Sequence, residues 1–229
     1  METLFNGFTL DIAPGTFPLS TDSMALADFV RLPKHARVLD LGSGCGTIGI
    51  ALCAKDSSCS VTGIELDETA HGMALKNCRD NQLQDRFQSI CGDFTAMHNS
   101  IAAGSFDVCV SNPPYFTAGF LSRTTPLARH EETCSLDALT KSAARALKFG
   151  GDFYLVHKPE RLAEIFSAAC AQKLEPKRLC LLRHRENDPV SLILVQCRKG
   201  GKPGLQWEEA VLYDSLGQET AYYRQVYHQ

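Results

Sequence analysis

The sequence predicts an α/β fold, an open and mostly parallel sheet with helices on both faces, folded as one domain. Three observations predict it. Short apolar runs of strand length alternate with longer, helix-like segments. The first of those runs, Val38-Leu39-Asp40-Leu41, enters the glycine-rich turn Gly42-Ser43-Gly44-Cys45-Gly46-Thr47 and then a helix, an arrangement that offers free N–H groups to a ligand. The fourth, Phe106-Asp-Val-Cys-Val-Ser111, stops at Asn112-Pro113-Pro114-Tyr115. Neither proline donates to a sheet ladder, and each pushes the residue before it into an extended conformation. The result is a stiff arch at a strand's C-terminal end, where open α/β sheets place their ligands.

Taken in order, residues 1–35 read as a cap segment. Turn formers (Pro14-Gly15, Phe17-Pro18) precede Thr21 or Asp22, the expected N-cap of a helix over Met24 to Val30. A core over residues 36–200 holds seven expected strands: Val38–Leu41, Val61–Ile64, Phe87–Cys91, Val108–Val110, Phe153–Val156, Leu179–Leu182 and Ser191–Cys197, the last antiparallel. Helices are expected from Ile48, up to about Asn81, from Ser135 to Leu147 with Gly150-Gly151 as its stop, and from Arg161 to Cys170. Residues 116–130 form a polar loop with Arg123 and Arg129, suited to a mobile lid. Residues 201–229 form a tail packing on the core, with an apolar segment at Ala210–Tyr213 and Trp207 packed beneath it.

Composition narrows the class. A chain of 229 residues can bury a full core, and 44% hydrophobic with 21% charged residues is ordinary for a globular domain. The N-terminus lacks a signal-peptide pattern, and no apolar run approaches the roughly 20 residues that span a bilayer. The ten cysteines include no C-x-x-C pair, and Cys53, Cys109, Cys180 and Cys197 sit in apolar runs. They read as buried hydrophobes of a cytoplasmic protein without a metal site. A net charge of −3 argues against a general nucleic-acid coat. From Lys173 to Lys202, however, eight Lys/Arg, including Arg183 and Arg185, face three acids. That clustering marks either a phosphate-facing edge or a solvated basic face.

Asp40 bears on which ligand the glycines hold. Gly44-Cys-Gly46-Thr-Ile-Gly49 matches the dinucleotide pattern G-x-G-x-x-G. Yet a carboxylate two residues before the glycines repels a pyrophosphate and suits the ammonium of a bound amino acid. Glu65, about 20 residues after the glycines and followed by Leu66, suits two ribose hydroxyls. Asp93 with Phe94 frames an adenine. Three acids at three successive strand ends fit S-adenosylmethionine better than NAD. At the arch, the Asn112 side-chain carbonyl and the Pro113 carbonyl offer two acceptors to a planar –NH2 group, with Tyr115 as a stacking face. Acceptors that favour a pyramidal nitrogen bind the transition state more tightly than the ground state. The competing reading of the tetrapeptide is a strand end with a proline turn.

Asp40-Leu-Gly-Ser-Gly-Cys-Gly46, Glu65, Asp93 and Asn112-Pro-Pro-Tyr115 resemble the ordered motifs of class I S-adenosylmethionine-dependent methyltransferases, a Rossmann-like fold, that act on planar amino groups. More narrowly, the chain is similar to the bacterial tRNA (adenine-N6) methyltransferases that modify a valine tRNA beside its anticodon. Thr21-Asp22, Ala128-Arg129-His130-Glu131 and the ending Val211-Leu-Tyr-Asp214 … Gly217 … Tyr222 carry that narrower likeness. The resemblance implies a cofactor site of Thr21, Asp22, Asp40, Gly42, Ser43, Gly44, Cys45, Gly46, Glu65, Leu66, Asp93, Phe94 and Asn112. It implies a catalytic arch of Asn112, Pro113, Pro114 and Tyr115, with Tyr115, Phe116, Arg129, Arg183 and Arg185 toward the substrate. The expected partner is tRNA, without metal or membrane, and the chain a monomer or weak homodimer. Three rivals stay open: methylation of a glutamine amide in a release factor, methylation of a guanine amine, and a silent RNA-binding module. Enzymes of the first kind usually carry a helical domain ahead of the glycine strand, where about 37 residues stand here.

Overall fold

The computed structural model describes residues 2–13, 20–114 and 135–227. Strands β1 (Glu2–Thr3) and β2 (Thr9–Leu10) pair antiparallel at the N-terminus. Then follow α1 (Thr21–Phe29), β3 (Arg37–Leu41), α2 (Thr47–Lys55), β4 (Ser60–Glu65), α3 (Glu68–Asp80), β5 (Phe87–Cys91) and β6 (Phe106–Ser111). Beyond the arch come α4 (Leu136–Ala146), β7 (Leu147–His157), α5 (Leu162–Ala171), β8 (Leu174–Arg185), β9 (Val190–Lys199), β10 (Gln206–Tyr213) and α6 (Ala221–Tyr227).

The large sheet has the order β10-β8-β9-β7-β6-β3-β4-β5. Its pairings are parallel except those of β9 with β7 and β8. Alternation along each strand divides the core in two. Val38, Val110, Tyr154 and Leu194 face one side with Leu26 of α1 and Leu52 of α2. Leu39, Cys109, Phe153 and Val195 face the other, against Leu139 of α4 and Ile165 of α5. Helix starts follow their capping chemistry: Asp67 accepts the Ala70 N–H at 2.8 Å and Ser135 the Ala138 N–H at 3.2 Å.

The structure corrects the expected architecture at four points. The sheet has eight strands, not seven; the last expected strand, Ser191–Cys197, lies within β9 and is antiparallel as expected. β10 is the eighth, added parallel to β8 at the sheet edge, with Trp207 opposite Leu179 and Tyr213 opposite Arg185. Its first half, Gln206-Trp-Glu-Glu209, is polar because an edge strand leaves that half exposed, and Trp207 is 65% exposed instead of lying beneath the tail. Ser20, not Thr21 or Asp22, caps α1 by accepting the Ser23 N–H. Gly150-Gly151 does not stop α4: the helix ends at Ala146, β7 begins at once, and the glycines lie in its irregular register against β6.

The N-terminal segment is stitched to the core by two asparagines one turn apart, Asn77 on α3 and Asn81 at its C-terminal cap. Asn81 accepts the Thr9 N–H at 2.8 Å and donates to the Thr9 carbonyl at 2.7 Å. Asn77 does the same for Asp11 at 2.8 Å both ways, and also donates to the Cys45 carbonyl at 2.9 Å. The cap segment and the glycine turn thus share one anchor. Among the described residues no helix is long and apolar enough to cross a membrane.

Candidate active site

The site is built where β3, β4, β5 and β6 end. The N–H groups of Gly42 and Ser43 both donate to the Ile64 carbonyl, at 2.9 and 3.0 Å, which ties the turn to β4. Gly42 (φ +74°) and Gly44 (φ +55°) hold left-handed conformations, and a Cβ on either meets nothing within 4 Å. Glycine is needed there for the backbone path, not for packing. The next N–H, of Gly44, donates to Glu65 Oε2 at 2.7 Å, and Glu65 Oε1 accepts the Asp67 N–H at 2.8 Å. Each Glu65 oxygen keeps a lone pair for a further donor.

Asp40 is fully buried and neither of its carboxylate oxygens has a hydrogen-bond donor. Burial first, and the Glu65 charge second, push its pKa up to about 7; the nearby Gly49 N–H, outside hydrogen-bond geometry, opposes them. The Ser43 hydroxyl is also buried without a partner. Orphaned buried polar atoms are rare because they forfeit hydration for nothing. A donor-starved acid beside a glycine turn suits a cationic ligand group. Asp93 holds its own turn, with Oδ1 accepting both the N–H and the O–H of Thr95 at 2.7 Å. Phe94 is half-buried beside it, and Leu66 is exposed.

The arch closes on this turn. Val110 pairs with Asp40 in register, and the Ser111 hydroxyl donates to the Leu41 carbonyl at 2.7 Å. Asn112 therefore leaves β6 beside the point where Gly42 leaves β3. Pro113 is buried, while Asn112 and Pro114 are half-buried. The Asn112 Nδ2–H donates to Ser23 Oγ of α1 at 3.0 Å. The same first turn carries Thr21, whose hydroxyl lies 2.9 Å from the Tyr227 hydroxyl, and Asp22. Ser23 and Ser111 were missed by sequence reading, since small hydroxyls in a helix turn or at a strand end carry no pattern. Tyr115, Phe116, Arg129 and His130 lie outside the described residues.

The basic segment is divided. Arg183 and Arg185 end β8, on the same sheet edge as the site, but β9 and β7 separate β8 from β6. Arg183 braces its own hairpin, donating to the Asp188 carbonyl at 2.8 Å and pairing with Glu209 at 3.4 Å. Arg185 is exposed. Other members are used elsewhere: Arg178 lies 4.1 Å over the Phe29 ring and pairs with Glu208, and Arg198 grips Asp152 with two hydrogen bonds. His157, which the sequence reading did not single out, is buried at the end of β7, where its Nδ1 accepts the Lys158 N–H at 2.8 Å. Burial first, then the Arg161 charge, pulls its pKa down to about 4.

A family model described as methyltransferase small domain matches residues 19–170. The chain is 27% identical over 221 residues to a tRNA1(Val) (adenine(37)-N6)-methyltransferase of Photobacterium profundum, covering 95% of this chain and 92% of that one. It is 30% identical over 195 residues to a Bacteroides fragilis protein of the same name, covering 83% and 81%. A crystal structure of a predicted O-methyltransferase from Agrobacterium tumefaciens superposes with a TM-score of 0.76 at 22% identity, over 91% of this chain and 96% of that one. At that identity the last likeness is one of fold.

Proposed function

We propose that this chain, which belongs to the methyltransferase small domain family, is an S-adenosylmethionine-dependent enzyme that methylates the exocyclic N6 of an adenine in tRNA. The curated relatives' names specify adenine 37 of a valine tRNA. The observation that carries the reading is the 2.7 Å bond from Ser111 to Leu41, which sets the arch against the glycine turn and its orphaned acid.

Asp40, Gly42, Ser43, Gly44, Cys45 and Gly46 would hold the methionine part of the cofactor, with Thr21 and Asp22 flanking it. Glu65 and Leu66 would hold the ribose, and Asp93 with Phe94 the adenine. Bound there, S-adenosylmethionine supplies an electrophilic methyl carbon. Asn112 and the Pro113 carbonyl accept the two hydrogens of the target amino group. An aromatic amine is a weak nucleophile because its lone pair is delocalised into the ring. Two fixed acceptors favour a pyramidal nitrogen and return that lone pair to it, and they act most strongly in the transition state. No side chain has to remove a proton beforehand, since the nitrogen loses it after transfer. Holding the base in this geometry supplies about 7–11 kcal/mol of the rate enhancement, and Tyr115 and Phe116 offer the base a stack worth roughly 1–3 kcal/mol. Arg129, Arg183 and Arg185 would meet phosphates.

The test is incubation of purified protein with methyl-labelled cofactor and either total tRNA or a release factor. Label recovered as N6-methyladenosine from digested tRNA is expected. Label entering only a protein glutamine, or only guanine, contradicts the assignment.

A further inference from the structure

Ser23 belongs to none of the motifs that carry the proposed function, yet it holds the Asn112 amide across 89 residues of sequence. The serine is 9% exposed, in the first turn of α1. An asparagine amide is planar, with an acceptor on one arm and two donors on the other. Fixing the NH2 arm on Ser23 turns the carbonyl arm away from α1. The terminal torsion of an asparagine is broad and roughly two-fold, and the bond to Ser23 favours the one orientation that places the NH2 arm on the serine. An NH2 arm turned toward an amino group meets hydrogens with hydrogens.

The helix that carries Ser23 is itself held at both ends. At its start, Thr21 meets the Tyr227 hydroxyl at 2.9 Å. Near its end, the Gln225 amide donates to Asp28 Oδ2 at 2.9 Å, and Lys55 donates to the carbonyls of Ala27, Asp28 and Val30. Ser23 is thus presented to the arch from a fixed platform, not from a loop.

We infer that Ser23 is a positioning residue for methyl transfer: it sets the Asn112 side chain so that the amide oxygen, and not the NH2, faces the target nitrogen. The inference rests on the catalytic reading of the arch given above.

Single-turnover methyl transfer to tRNA by the wild type, Ser23→Ala, Asn112→Ala and the double variant tests it, together with NMR of the side-chain amides in the 15N-labelled, ligand-free chain. Ser23→Ala is expected to lower the rate at saturation about tenfold, the loss of one orienting hydrogen bond, with KM for tRNA and cofactor affinity unchanged. Adding Ser23→Ala to Asn112→Ala should cost nothing further, because the serine acts only through the amide. In Ser23→Ala the Asn112 NH2 resonances should shift and exchange faster with water, a change visible without activity. A wild-type rate for Ser23→Ala, full additivity in the double variant, or unmoved Asn112 resonances overturns the inference alone. A wild-type rate for Asn112→Ala overturns the arch reading, and the inference with it.

Discussion

The N–H of Gly44 donates to the Glu65 carboxylate at 2.7 Å, so the residue assigned to the ribose also holds the glycine turn. Glu65→Ala removes an acceptor from both Gly44 and Asp67. Hydrogen bonds to a charged group contribute about 1.5–3 kcal/mol each, so calorimetry should find cofactor-product affinity reduced by roughly 10- to 100-fold. Unchanged affinity would show that Glu65 touches neither the ligand nor the loop in a way that matters.

Asp40 gives a pH signature. Its folded pKa of about 7 lies above its unfolded value of 3.8, so between these the folded chain binds more protons than the unfolded one. Its contribution therefore favours folding at low pH and is lost as pH rises from about 4 to about 7. His157 has the opposite slope. Its folded pKa of about 4 lies below the ordinary 6.5, so its contribution grows as pH rises across that window. The two oppose each other, and only a difference isolates Asp40. Ligand-free Asp40→Asn should gain Tm relative to wild type progressively above about pH 4, reaching its full gain near pH 7. Parallel Tm profiles for the two proteins contradict the assignment.

The two arginines at the end of β8 should separate. Arg185 is exposed, so Arg185→Ala should leave Tm unchanged, weaken tRNA binding and reduce the salt slope by about 1. Arg183 braces the β8–β9 hairpin and pairs with Glu209. Arg183→Ala should therefore lower stability by about 1–2 kcal/mol. Salt titrations of tRNA affinity and thermal melts check both halves. A salt slope unmoved by Arg185→Ala makes that edge a solvated face.

Tyr227→Phe removes only the hydroxyl that meets Thr21. The expected cost is about 1 kcal/mol, and hydrogen exchange should accelerate in the first turn of α1. Exchange there at the wild-type rate contradicts the view that the tail anchors that helix.

Much of this was legible in the sequence because the signals were local. Val38–Leu41 is a short run, apolar but for Asp40, between Arg37 and the glycine turn, and Phe87–Cys91 is a mixed run that stops at Gly92; the structure places strands over both. Asp40 lies near the end of β3, two residues ahead of Gly42, and Gly44 follows in the turn, so finding the strand and its turn finds all three. β10 was only half visible because an edge strand is not required to be apolar. The pairing of Ser23 with Asn112, and of Asn77 with Asp11 and Cys45, joins residues far apart in sequence. Such pairs leave no periodicity. The basic run misled as a unit because β8 and β9 carry its members along their whole length, so Arg178 and Arg198 end far along the strands from Arg183 and Arg185.

The central claim is that the Asn112 oxygen meets the nitrogen that receives the methyl group. Single-turnover transfer to tRNA by Asn112→Ala, with cofactor affinity measured beside it, tests this most directly. By analogy with loss of one fixed transition-state hydrogen bond, the rate should fall about 10²–10³-fold, roughly 3–4 kcal/mol, while the cofactor still binds. A variant that methylates tRNA at the wild-type rate contradicts the account.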